Sequence, residues 1–209
     1  MFDIHTHNKQ LIHKSEAIVN CNVDDDFSLF PFFSLGLHPW DVDEGWEKKY
    51  VRVEETLRRI SDDELLPQLV AIGEIGLDKA RGGEMKYQQE CFRKMLCLAQ
   101  NYSKPVILHC VKAVDEVLAA LKQVDFSSPV VFHGFRGKPE QARQLIDNGY
   151  YLSFGAKFNE EALKLAYTHE RMFLETDDSG LSLNEIYESA GRALNISPTD
   201  IDVPGIFAS

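Results

Sequence analysis

Eight short apolar runs recur along the chain, at residues 2–4, 17–21, 32–37, 69–74, 105–109, 129–133, 150–154 and 172–177. No other feature constrains the fold as strongly. Runs so rich in β-branched and aromatic residues suit parallel strands covered on both faces. Helical periodicity fills the later gaps. Tyr87, Cys91, Met95, Leu98 and Ala99 form one stripe, and Val114, Val117, Leu118 and Leu121 form a second. Ala142, Leu145 and Ile146 form a third, with Pro139 placed for a first turn and Gly149 for a stop. Trp46 and Tyr50 are expected on a helix covering the third strand. Repeated β-then-α units of this spacing predict an α/β fold, a TIM-type (β/α)8 barrel. The gaps between the first three runs are too short for a full parallel crossover, so the first helices should be shortened or missing. One domain over residues 1–209 is expected.

The polar residues follow the same rhythm. Glu74, His109, His133 and Asp177 each close an apolar run at its C-terminal end, and in a barrel those ends converge on the face where active sites are built. The opening stretch, Met1-Phe2-Asp3-Ile4-His5-Thr6-His7, alternates as a strand does. His5 and His7 then share a side, about 7 Å apart along the strand, close enough to hold one metal ion. His13 and His169 fit no such pattern and read as surface residues.

Composition narrows the partners. The 209 residues carry 22 Lys and Arg against 33 Asp and Glu, a net charge of −11. That balance argues against nucleic-acid binding through bulk charge and leaves room only for a local basic patch or a metal ion. Asp24-Asp25-Asp26 lacks the glycine of a calcium loop and reads as a solvated turn. Cys21, Cys91, Cys97 and Cys110 match no zinc or disulfide spacing and are expected to be buried thiols in a reducing cytoplasm. Polar residues from Asp3 onward interrupt any signal-peptide core, no apolar run approaches a membrane span, and no obligate protein partner is indicated.

The motifs D-I-H-T-H at 3–7, G-L-H-P-W at 36–40, G-E-I-G-L-D at 73–78, P-V-I-L-H at 105–109, F-H-G-F-R-G at 132–137 and L-E-T-D at 174–177 occur in one order across most of the chain. In this the sequence resembles the TatD-like metal-dependent hydrolases, a branch of the amidohydrolase superfamily that includes deoxyribonucleases. The resemblance implies a centre of two divalent ions, with Mg, Mn, Zn, Fe or Ni all left open. His5, His7 and Asp177 would bind one ion, His109 and His133 the second, and Glu74 would bridge them. Asp177 and Glu74 would be catalytic, with Asp177 accepting the proton of the attacking water. His38 would act beside them and contact substrate. Asp3 would orient an imidazole from behind.

The implied activity is hydrolysis of a phosphodiester, with single-stranded DNA or a small molecule as substrate. The alternative on the same site is a carboxylic ester, lactone or amide. All six expected ligands are present, which argues against a barrel that has lost its chemistry.

Several positions depart from the family pattern. The chain is shorter than typical members and stops at Ser209, where a member would continue into a last helix turn. Val111 stands where the resemblance implies a phosphate-binding arginine, leaving Lys112 and Arg136 as the expected substrate-binding cations. Asp178 adds a carboxylate at the expected mouth of the site. Trp40 is expected to pack in the core, with a place in the pocket wall as the alternative.

Overall fold

A computed structural model describes residues 1–11, 13, 14 and 16–207; the expected continuation at Ala208-Ser209 falls outside them. Eight strands form one parallel sheet in sequential order: β1 (Asp3–Thr6), β2 (Ala17–Cys21), β3 (Phe33–Leu35), β4 (Leu69–Asp78), β5 (Val106–Val111), β6 (Val130–Phe132), β7 (Tyr151–Phe154) and β8 (Met172–Leu174). All eight overlap the apolar runs. The ring closes where Asp177 N–H donates to the carbonyl of His5 (3.0 Å) and His7 N–H donates to the carbonyl of Asp177 (3.2 Å). The expected (β/α)8 barrel is present.

The helices are α1 (Trp46–Asp62), α2 (Met85–Asn101), α3 (Val114–Val124), α4 (Pro139–Asp147), α5 (Glu160–Thr168) and α6 (Leu183–Leu194). Among the described residues no helix joins β1 to β2, and a three-residue 3-10 turn, Phe27–Leu29, stands between β2 and β3. The trimmed front half is as the short gaps demand. Each helix buries one stripe: Cys91, Met95, Leu98 and Ala99 on α2, Val117 and Leu121 on α3, and Ala142, Leu145 and Ile146 on α4. Pro139 begins α4, where a missing N–H costs nothing. Two helices went unassigned in the sequence. For α6 the signal was there, since Ser182 and Glu185 form a reciprocal capping box.

β4 departs most from the expectation. It runs four residues past Glu74, and all ten of its residues are buried. Its pairing shifts register against β3 and again against β5 between Ile72 and Ile75. Glu74 therefore lies inside the strand rather than at its end, on a stretch where an irregular ladder re-aims side chains. Gly76 (φ +145) lets β4 pass close to β5, because a Cβ there would stand 2.0 Å from the carbonyl of His109.

The opposite end of the barrel is apolar. Phe2, Phe32 and Phe207 pack against Ile18, Val70, Ala71 and Ile107. Tyr187 of α6 pins the first strand there, accepting Phe2 N–H (2.9 Å) and donating to the Phe2 carbonyl (3.0 Å). No helix among the described residues is long and apolar enough to cross a membrane.

Candidate metal centre

Glu74 is the hub of the polar face. Five imidazoles converge on its carboxylate and divide between its two oxygens. His5 Nε2 and His7 Nε2 lie 3.2 and 3.5 Å from Oε2. His38 Nε2, His109 Nδ1 and His133 Nε2 lie 2.9, 2.8 and 2.7 Å from Oε1. Asp177 Oδ1 stands 3.8 Å from His5 and 3.6 Å from His7, on the Oε2 side. Strand alternation does put His5 and His7 on one side, their ring centroids 5.0 Å apart. His5 is fully buried while His7 opens to solvent.

Secondary contacts fix these groups. Asn20 on β2 accepts the Glu74 N–H (3.0 Å) and faces Ser34 Oγ (3.2 Å). Asp78 Oδ2 lies 3.0 Å from His109 Nε2 and holds the ring so that Nδ1 faces Glu74 Oε1, the nitrogen that would take a cation. Fully buried Glu175 lies 3.4 Å from His133 Nδ1 and accepts the Gly134 N–H (2.6 Å). His38 Nδ1 accepts the Trp40 N–H (3.1 Å), which leaves its proton on Nε2. Sequence reasoning singled out neither Asp78, Glu175 nor Asn20. Glu175 was within reach, since β-type spacing places it on the same side as Asp177.

Asp3 does not meet an imidazole, contrary to expectation. It accepts Thr176 N–H (3.0 Å), Thr176 Oγ1–H (2.6 Å) and the backbone N–H of His5 (3.3 Å), so it ties β1 to the chain after β8. Burial drives its carboxyl up to about 7 against those bonds.

Burial also opposes ionisation of Glu74. The charge of His133 and the hydrogen bonds of His109, His133 and His38 outweigh it and hold the carboxyl well below the usual range. The same contest keeps His133 well above an ordinary imidazole: burial works against its charge, and Glu74 and Glu175 overcome it.

This donor set fits divalent cations. The triads His5–His7–Asp177, His5–Glu74–His133, His38–Glu74–His109 and His133–Glu175–Asp177 each bring their ligand atoms within 4.8 Å of one another. Both ring nitrogens of His5 are buried with no hydrogen-bond partner among the described residues. Such an orphan costs about 1–3 kcal/mol, and coordination of Nε2 would relieve it.

A cleft of about 670 Å³ opens beside the cluster, lined by His109, His133, Asp177, Lys112, Arg136 and Asp178 among others. Both expected substrate cations and the extra carboxylate therefore face one space. Trp40 lines it as well and does not pack in the core; it is 42% exposed, its indole N–H held by Asp78 (2.7 Å). His13 and His169 are exposed and remote from the cluster. Of the four thiols, Cys97 is exposed rather than buried, and all four are unpaired.

The family model described as TatD related DNase matches residues 16–180. The chain belongs to this family. The match takes in Glu74, His109, His133 and Asp177, and begins after His5 and His7. Among curated TatD-family relatives, the chain is 34% identical over 153 residues to the 3'-5' ssDNA/RNA exonuclease TatD of Klebsiella pneumoniae, covering 69% of this chain and 56% of that protein. It is 30% identical over 181 residues to the enzyme of the same name from Edwardsiella piscicida, covering 82% and 64%. The chain thus spans less than two thirds of the length of either relative. The TatD barrel itself is matched over more of the chain. A TatD-family hydrolase from Entamoeba histolytica superposes with a TM-score of 0.77 at 17% identity, covering 96% of this chain and 93% of the other.

Proposed function

We propose that this chain is a metal-dependent phosphodiesterase, a nuclease acting on single-stranded nucleic acid, with all 209 residues forming one working domain. One observation carries the reading: five imidazoles and Asp177 are shared out between the two oxygens of one buried carboxylate. The division supports two divalent ions, with His5, His7 and Asp177 holding one, His109 and His133 the other, and Glu74 serving both. Such a pair activates water and stabilises attacking and leaving oxygens together. The exonuclease names of the bacterial relatives support the substrate class. The four unpaired cysteines support a cytoplasmic setting.

The chain's own groups divide the remaining work. Asp177, beside His5 and His7 at the floor of the cleft, takes the proton of the attacking water on its carboxylate. His38, with Nδ1 committed to Trp40 N–H, donates Nε2–H to Glu74 Oε1 (2.9 Å), and would turn that proton to a substrate oxygen once cations occupied the carboxylate. Lys112 and Arg136 line the cleft and hold the anionic substrate. Glu74 must stay ionised to serve two cations, and its imidazole neighbours favour that form.

The test is hydrolysis of a 3'-labelled single-stranded oligonucleotide by protein loaded with Mn²⁺ or Zn²⁺. Cleavage abolished by chelator and by Glu74→Ala is expected. Loaded protein that cleaves neither DNA nor RNA would overturn the nuclease reading.

A further inference from the structure

Arg81 carries a guanidinium with no carboxylate or carbonyl partner among the described residues, in a chain whose acids outnumber its bases by 33 to 22. It is not loose. Its guanidinium lies over the indole of Trp40, 3.6 Å from the ring centroid. That indole is anchored by its N–H to Asp78, the same carboxylate that holds His109.

The backbone beneath is equally fixed. Asp78 Oδ1 accepts both Ala80 N–H (2.7 Å) and Arg81 N–H (3.0 Å), and Gln88 donates to the Arg81 carbonyl (3.3 Å). Gly82 and Gly83 pack so closely on the 39–43 segment that a Cβ would meet the carbonyls of Pro39 and Val42 at 2.6 and 2.2 Å. The loop is thus built to hold one side chain on one ring.

A guanidinium stacked by its face keeps its in-plane N–H edges free, and those edges match the two oxygens of a phosphate. The Trp40 ring adjoins His38 and His109, at 4.7 and 5.5 Å between centroids, and it stands between Arg81 and the Glu74 cluster. Resting on the nuclease reading above, we propose that Arg81, held on Trp40, binds a backbone phosphate of the nucleic-acid substrate next to the one being cleaved. It supplies the planar fork that position 111, a valine, does not.

The probe is a fluorescent, phosphorothioate-linked single-stranded oligonucleotide titrated into metal-loaded protein at several salt concentrations. Losing one phosphate contact to a single strand lowers the slope of log affinity against log salt by about 0.7. Arg81→Ala should show that drop and a several-fold higher Kd. Arg81→Lys should keep the slope but not recover the affinity, since it lacks the fork. Trp40→Ala should weaken binding while keeping the slope, and the double variant should bind no more weakly than Arg81→Ala.

An Arg81→Ala protein with wild-type Kd and slope overturns the assignment, as does wild-type protein that does not bind the oligonucleotide. Wild-type protein that binds with the expected slopes yet cleaves nothing supports Arg81 and refutes the nuclease reading instead. Because Arg81 is exposed, an unchanged melting temperature will exclude a merely structural effect.

Discussion

Replacing Glu74 by glutamine tests the hub of the site without altering its shape. The residue is 4% exposed and its volume is conserved, so a metal-free Glu74→Gln protein should fold as the wild type does. Its response to metal should differ. Ligand at a hundredfold its Kd adds about 2.7 kcal/mol to the native state. For a chain of this size each kcal/mol moves Tm by about 2–4 °C, so saturating metal should raise the wild-type Tm by about 5–10 °C. Of the four converging donor triads, two contain Glu74. The other two, His5–His7–Asp177 and His133–Glu175–Asp177, survive the substitution. The shift should therefore fall without vanishing, because His5, His7 and Asp177 remain while both ions lose the shared carboxylate. Scanning calorimetry of chelator-stripped protein, titrated with Mn²⁺ or Zn²⁺, measures both. A full wild-type shift in Glu74→Gln would show that the carboxylate is not shared, and no shift in either protein would refute metal binding by the cluster.

Glu175→Gln keeps the Gly134 contact but removes the charge facing His133 Nδ1. Metal affinity measured by competition with a chromophoric chelator should drop about 10–100-fold; an unchanged affinity would mean Glu175 only packs. Tyr187→Phe leaves both Phe2 backbone groups unpaired and should cost about 1–3 kcal/mol by urea titration. Burial pushes the thiols of Cys21 and Cys91 up to about 12 and that of Cys110 to about 11, so thiolate is scarce at pH 8. Under native conditions only the exposed Cys97 should react with a thiol reagent, and mass spectrometry of the labelled peptides will identify it.

The barrel was legible because two-sided burial forces each parallel strand to be a continuous apolar run, as at 105–109 and 129–133. Helices with strong stripes, such as α2, were legible for the same reason. The candidate cluster showed through because Glu74, His109, His133 and Asp177 close such runs, where a polar side chain is expensive. What stayed hidden depends on register and loop geometry. Local pattern does not reveal that β4 continues past Glu74 with a shifted ladder, nor that Asp3 turns to Thr176 instead of a ring. Trp40 was misplaced because an indole reads as core unless a buried acceptor such as Asp78 is known to hold its N–H at the surface. Cys97 lies on the solvent side of a helix whose stripe runs through Cys91, a difference of phase that residue type does not reveal.

The barrel is closed by backbone bonds among His5, His7 and Asp177, the same residues whose side chains crowd around Glu74. Completing the ring and completing the cluster are therefore one event. The donors around Glu74 therefore come together only when the chain after β8 meets β1, so the last strand of the barrel is also the last part of the cluster.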